Sequence, residues 1–120
     1  MIIATPETVP GQQGSHSHGG AGNYFVRTLL DQVPGASAIK YVRDLVLYPG
    51  SSIGLHPHLD DEEIYFVILG EGVMTVDGED QPIGPGSVVL TLSGSYHGLR
   101  NTGRDDLRIA VVCAGAHHHG

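Results

Sequence analysis

Turn-forming residues punctuate this chain at short intervals, and that spacing constrains its fold more than any other feature. Pro34-Gly35, Pro49-Gly50, Asp77-Gly78 and Gly84-Pro85-Gly86 are the strongest marks. They belong to a total of 18 Gly and 7 Pro in 120 residues. Proline removes a backbone donor and glycine raises the entropic cost of a helix interior, so few stretches between them can hold a helix of ordinary length. What lies between the marks is short and rich in β-formers: residues 24–30, 39–48, 53–58, 64–69, 73–76, 87–92, 97–101 and 107–113. No segment sustains a 3.6-residue period. Eight or nine short strands with turns every 8 to 12 residues predict an all-β antiparallel sandwich or barrel.

Residues 1–22 differ from the rest. They are polar and rich in Gly, Pro, Gln and Ser, have no hydrophobic period, and predict an irregular N-terminal arm. The expected organisation is an arm over 1–22, a barrel domain over 23–114 and a His-rich tail over 115–120.

Charge narrows the partners. Thirteen Asp plus Glu against six Lys plus Arg give a formal net charge of −7. A nucleic-acid or anionic-membrane partner needs a basic footprint, and none is present. The longest apolar run, residues 64–69, is far shorter than a bilayer-spanning segment. One cysteine, Cys113, excludes an internal disulfide; with no secretory signal visible at the N-terminus, a cytoplasmic location is expected. Cys113 itself, in an apolar strand, reads as an inert buried thiol.

Eight histidines are unusual for this length. In His56-Pro57-His58 the two imidazoles are two residues apart, so on a strand both point to the same face. Glu63 follows after a short link, and His97 is the other histidine within the strand-rich region. Two or three imidazoles with a carboxylate suit a first-row transition ion. The remaining five histidines, His16, His18, His117, His118 and His119, read as solvated tails.

The surrounding spacing is more specific. Gly50, five residues, His56, one, His58, four, Glu63, six, Gly70 is followed by Gly86, five residues, Leu92, one, Gly94, two, His97, three, Asn101. These resemble, in order and spacing, the two signature motifs of the cupin superfamily; nine of ten marker positions agree over 52 residues. The departure is Leu92, where the second motif usually has proline, a position that shapes a turn and supplies no ligand. The resemblance covers residues 38–113 and implies a double-stranded β-helix, the jelly-roll barrel of small single-domain cupins. Carried over by position, it implies that His56, His58, Glu63 and His97 bind one divalent transition metal per chain: Mn, Fe, Co, Ni, Cu or Zn.

If Glu63 points inward, strand alternation puts Tyr65, Val67 and Leu69 on its face, and Ser95, Leu99 and Asn101 on that of His97. Tyr65 is thereby a candidate catalytic proton donor, core filling being the plainer reading. Asn101 reads as a backbone anchor. Lys40 and Arg43 fall on opposite faces of the preceding strand; one could bind an anionic substrate, or both could be surface charge.

A three-His, one-Glu centre leaves coordination positions open for a small molecule. The resemblance implies a metal-dependent enzyme acting on a small oxygenated molecule, of dioxygenase, decarboxylase or sugar or keto-acid isomerase type. The alternative is a metal-dependent binding module for a small acid or sugar, without turnover. Homodimerisation is expected, the arm and residues 24–30 adding a strand to a neighbour's sheet.

Overall fold

A computed structural model describes residues 1–115. The described residues form ten strands: β1 (Gln12–Ser15), β2 (Asn23–Asp31), β3 (Ile39–Leu47), β4 (Ser52–Pro57), β5 (Asp61–Leu69), β6 (Gly72–Val76), β7 (Glu79–Ile83), β8 (Val88–Thr91), β9 (Tyr96–Asn101) and β10 (Leu107–Gly115). One 3-10 turn, Ser17–Gly19, lies between β1 and β2. All pairings are antiparallel, in a six-stranded sheet ordered β1-β2-β3-β10-β5-β8 and a four-stranded sheet ordered β4-β9-β6-β7. The architecture is the expected all-β jelly-roll.

Alternation builds the core. Along β10, Leu107, Ile109, Val111 and Cys113 are buried while Arg108, Ala110 and Val112 are only half-buried. Across the ladder Val67 and Leu47 turn inward to meet them, and Met74 and Leu99 close the core from the smaller sheet. Each such side chain contributes roughly 1.5–3 kcal/mol on burial. At one end of the barrel this packing is dense. At the other the inward positions are taken by Glu63, Tyr65 and His97, and the core gives way to a polar cluster.

Three segments depart from expectation. Leu69 does not share the face of Glu63: β5 bulges between Val67 and Leu69 against β10, and Leu69 ends more than half exposed. Asp77 and Gly78, both at positive φ (48° and 83°), make the tight turn that pairs β6 with β7 in register, which draws Glu79–Ile83 into a strand its composition does not announce. The arm is ordered against its own barrel. β1 pairs with β2, so residues 24–30 form an internal strand of the sheet, flanked by β1 and β3.

The docking of the arm depends on Gly54 of β4. The carbonyl of His18 lies so near that a β-carbon at position 54 would stand 2.1 Å from its oxygen. Only glycine admits this approach, and it seats the 3-10 turn against β4.

Candidate metal centre

β4 and β9 run side by side with His56 directly opposite His97. His58 follows the last residue of β4, and Glu63 reaches in from β5 of the other sheet. The four expected side chains thus come together from both sheets, with donor atoms all within 4.8 Å of one another. His58 Nε2 is 3.1 Å from His97 Nε2 and 3.0 Å from Glu63 Oε1; His97 Nε2 is 3.1 Å from His56 Nε2 and 3.3 Å from Glu63 Oε1.

The opposite nitrogen of each ring is fixed. His56 Nδ1 lies 2.8 Å from the Gly54 carbonyl, His58 Nδ1 2.8 Å from Asp61 Oδ1, and His97 Nδ1 2.8 Å from Thr91 Oγ1. A carbonyl and a carboxylate only accept, so His56 and His58 donate from Nδ1 and present unprotonated Nε2 atoms to the cluster. The Nε2 lone pairs of His56 and His58 both face His97 Nε2, 3.1 Å from each, and a cation among the three rings would take up all of them. The spacing fits: two donors about 2.1 Å from an ion and at right angles lie about 3.0 Å apart. The donor set is suited to a metal ion, with the Nδ1 contacts orienting its rings.

Electrostatics point the same way. Burial lowers the His56 imidazole to about 4, the Gly54 carbonyl opposing and His18, His97 and His58 adding to the shift. Burial pushes the Glu63 carboxyl up, but hydrogen bonds from His97 and Tyr41 and the charges of His58 and His97 outweigh it and hold the group below its ordinary value. A neutral His56 and an ionised Glu63 are the forms a metal requires of them.

Tyr65 lies on the inward face beside Glu63, 4% exposed, its ring 5.1 Å from that of His97. Burial, then the charge of Glu63, raises its hydroxyl well above the usual tyrosine value. Asn101 binds backbone only: it donates to the carbonyls of Leu47 and Asp105 and accepts from the amide of Gly103.

Four contributors escaped the sequence reading. Tyr41 on β3 donates its hydroxyl to Glu63 Oε2, a position strand parity could have exposed. Asp61 orients His58 and is itself bound by Lys40 at 2.7 Å. Thr91, paired with Glu63 across the β5–β8 ladder, holds His97. His18 of the arm stacks on His56 although its outer side is in solvent. His16 is exposed and bonded to Gly20, and His117, His118 and His119 lie outside the described residues. Cys113 sits near His58 and Asp61, but burial pushes its thiol up to about 11, so it keeps its proton at neutral pH.

A cavity of about 530 Å³ opens over the cluster between β2, β3, β4 and β5. Its walls combine Val26, Leu45 and Val111 with Tyr41, Tyr65 and Arg43, the mixture of apolar surface and a few placed polar groups that small-ligand sites use.

Comparison with known proteins agrees with this geometry. The Cupin domain family matches residues 44–113. The oxalate-binding protein of Thermotoga maritima is 38% identical over 112 residues, spanning 93% of this chain and 92% of that protein. The crystal structure of a predicted oxalate decarboxylase from Thermotoga maritima superposes with a TM-score of 0.88 at 34% identity, covering 95% of this chain and 99% of that one. The 5-nitrosalicylic acid 1,2-dioxygenase of a Bradyrhizobium species is 30% identical over 67 residues, spanning 56% of this chain and 32% of the enzyme. Motif spacing, barrel topology and these relatives agree: the chain belongs to the cupin family.

Proposed function

We propose that this cupin binds a small oxygenated acid at a divalent transition metal held by His56, His58, Glu63 and His97. The observation that carries the reading is the convergence of three Nε2 atoms and Glu63 Oε1 at 3.0–3.3 Å while every Nδ1 is engaged elsewhere. A bound ion supplies Lewis acidity and open positions for ligand oxygens. The chain supplies ring orientation through Gly54, Asp61 and Thr91, an ionised Glu63, and apolar walls that thin the water around the ligand. The oxalate-binding relative, similar over nearly its whole length, supports oxalate as the first ligand to try.

Turnover is the second reading, supported by the likeness to a predicted oxalate decarboxylase. Loss of carbon dioxide from oxalate consumes one proton and yields formate without net oxidation. Tyr65, lining the cavity with its proton held tightly by burial, is the candidate donor.

Elemental analysis and calorimetry test both. Wild-type protein should hold one more equivalent of metal than His56→Ala or His97→Ala, and should bind oxalate only when loaded. Undiminished metal in both variants sinks the four-ligand assignment. Formate and carbon dioxide from oxalate, absent in the variants, would establish an enzyme; tight oxalate retention without products would establish a binding module.

A homodimer working in the cytoplasm completes the proposal. Ile64, Phe66 and Ile68 of β5 and Val88 and Leu90 of β8 form exposed apolar rows on adjacent strands, with Ile64 opposite Leu90 and Phe66 opposite Val88. β8 is an edge of the six-stranded sheet. Such a face on a free edge favours a second copy, and the free Cys113 fits a reducing compartment.

A further inference from the structure

Among the residues lining the cavity over the cluster, Arg43 is the one lysine or arginine. Alternation along β3 turns Tyr41, Arg43 and Leu45 to the interior together. The Arg43 guanidinium carbon lies 3.7 Å from the centroid of the Tyr41 ring, whose hydroxyl binds Glu63. The stacked ring therefore carries the cation to the edge of the candidate metal centre. Nε donates to Thr28 Oγ1 at 3.3 Å, which fixes the plane of the guanidinium.

Arg43 is set apart by lacking a charged or carbonyl partner while half-buried: Arg104, also without a carboxylate, is exposed, and Arg27 donates to the carbonyls of Pro6 and Val9. Arg108 pairs with Asp44 at 2.7 Å, Lys40 with Asp61 at 2.7 Å and Arg100 with Asp80 at 3.6 Å. No carboxylate among the described residues comes within 4.0 Å of Arg43. The chain has thirteen acidic residues, and the half-buried arginine that lines the cavity is left without one. Keeping a partly desolvated cation unpaired costs stability. A partner that arrives with the ligand accounts for that cost.

We infer that Arg43 receives the outer oxygens of a ligand chelated below it, so that the site selects small dicarboxylates over chelators with an apolar far side. This rests on the metal-dependent reading above and names its substrate class. A dicarboxylate that chelates through one oxygen of each carboxylate leaves two oxygens facing away from the ion. Guanidinium presents two parallel N–H donors to such a pair, where an ammonium offers a point charge. A local cation is also needed because the field of a chain with net charge −7 opposes the approach of anions.

The test titrates the full-length, cobalt-loaded protein with oxalate and malonate, and with acetohydroxamate, which chelates through two oxygens but ends in a methyl group. Arg43→Gln should keep its metal and weaken the dicarboxylates by about 30-fold, the worth of charge-assisted hydrogen bonds, while acetohydroxamate shifts by less than about 3-fold. Arg43→Lys should restore only part of the loss. Dicarboxylate binding that needs metal but ignores Arg43→Gln overturns the inference and spares the metal reading. Dicarboxylate binding that survives removal of the metal yet falls in Arg43→Gln overturns the metal reading and, with it, the chelated pose inferred here. Acetohydroxamate bound as tightly as oxalate by the wild type overturns the inference alone. Should Arg43→Gln fail to fold, Arg43→Lys decides: full wild-type affinity for oxalate overturns it.

Discussion

His18 lies flat against His56, ring centroids 3.6 Å apart and planes 8° from parallel. The first ring belongs to the N-terminal arm and the second to β4, so a contact 38 residues apart in sequence closes one side of the candidate metal centre. His56 is the least enclosed of the four clustered side chains, half-buried where the others are buried, and the stack shields its open face. Replacing His18 with Ala should leave the barrel folded and lower metal affinity about 3- to 10-fold, the scale of one aromatic pair. His18→Phe should recover most of it. Competition against a chromophoric chelator reads the difference, and an unchanged constant in His18→Ala would show that the arm is no part of the site.

Asp61 reaches the centre at one remove. It accepts from His58 Nδ1 and from Lys40, and these two hydrogen bonds hold its carboxyl below the ordinary value against the opposing effect of burial. Asp61→Asn keeps the shape but weakens the acceptor, which should cost about 10- to 100-fold in metal affinity. Lys40→Met, one step further out, should cost less. Equal affinity in Asp61→Asn and wild type would contradict the idea that this carboxylate orients His58.

How legible this was from sequence depends on the range of each signal. His56, His58, Glu63 and His97 stand at motif spacing, and strand alternation alone puts the first two on one face, so the cluster could be read before any coordinates. Alternation also reaches Tyr41 and Arg43, two apart on β3, although nothing local shows that they meet Glu63's neighbourhood across the sheet. β7 could not be read: Glu79-Asp80-Gln81-Pro82-Ile83 is poor in β-formers, and it becomes a strand because the Asp77-Gly78 turn returns it along β6. The arm was opaque for a related reason. His18 owes its place to a backbone approach permitted by Gly54, a contact between distant segments that leaves no periodic trace.

Tyr41 and Tyr65 both face the cavity with hydroxyls that burial raises above the usual value, yet their roles separate. Tyr41 donates to Glu63 Oε2, so Tyr41→Phe should loosen the carboxylate and reduce metal affinity by about 5- to 10-fold. Tyr65→Phe should leave metal binding intact. If oxalate is turned over with Tyr65 as donor, that same variant should lose product formation while still binding the acid. Unaltered turnover in Tyr65→Phe would remove it from the chemistry.

The apolar face of β5 and β8 makes an assembly prediction. Light scattering should give a dimer for the wild type. Phe66→Asp combined with Leu90→Asp places charges in the middle of both rows and should give a monomer that still binds metal, since Glu63 and Tyr65 occupy the opposite side of the same strand. A wild-type monomer would end the proposal.

The metal-free protein should lose stability on mild acidification, and the sign follows from His56. Burial lowers its imidazole from 6.5 to about 4, so between those values the unfolded chain binds a proton that the folded chain excludes. The contribution is fully present above pH 6.5 and is lost progressively as the pH falls towards 4. His18, lowered chiefly by burial, acts in the same direction. Asp61 and Glu63, both held below their ordinary carboxylate values, withdraw their share only at more acid pH. Thermal unfolding of protein stripped with a chelator should therefore show Tm rising with pH across the histidine window, with a shallower slope in His56→Gln. Because a metal bound only by the folded state adds its own stabilisation, the loaded protein should lie above the stripped one throughout, and the gap should close on the acid side as protons displace the ion. A Tm that is flat in the stripped protein across that window would show that His56 titrates normally and that the cluster is wetter than its burial implies.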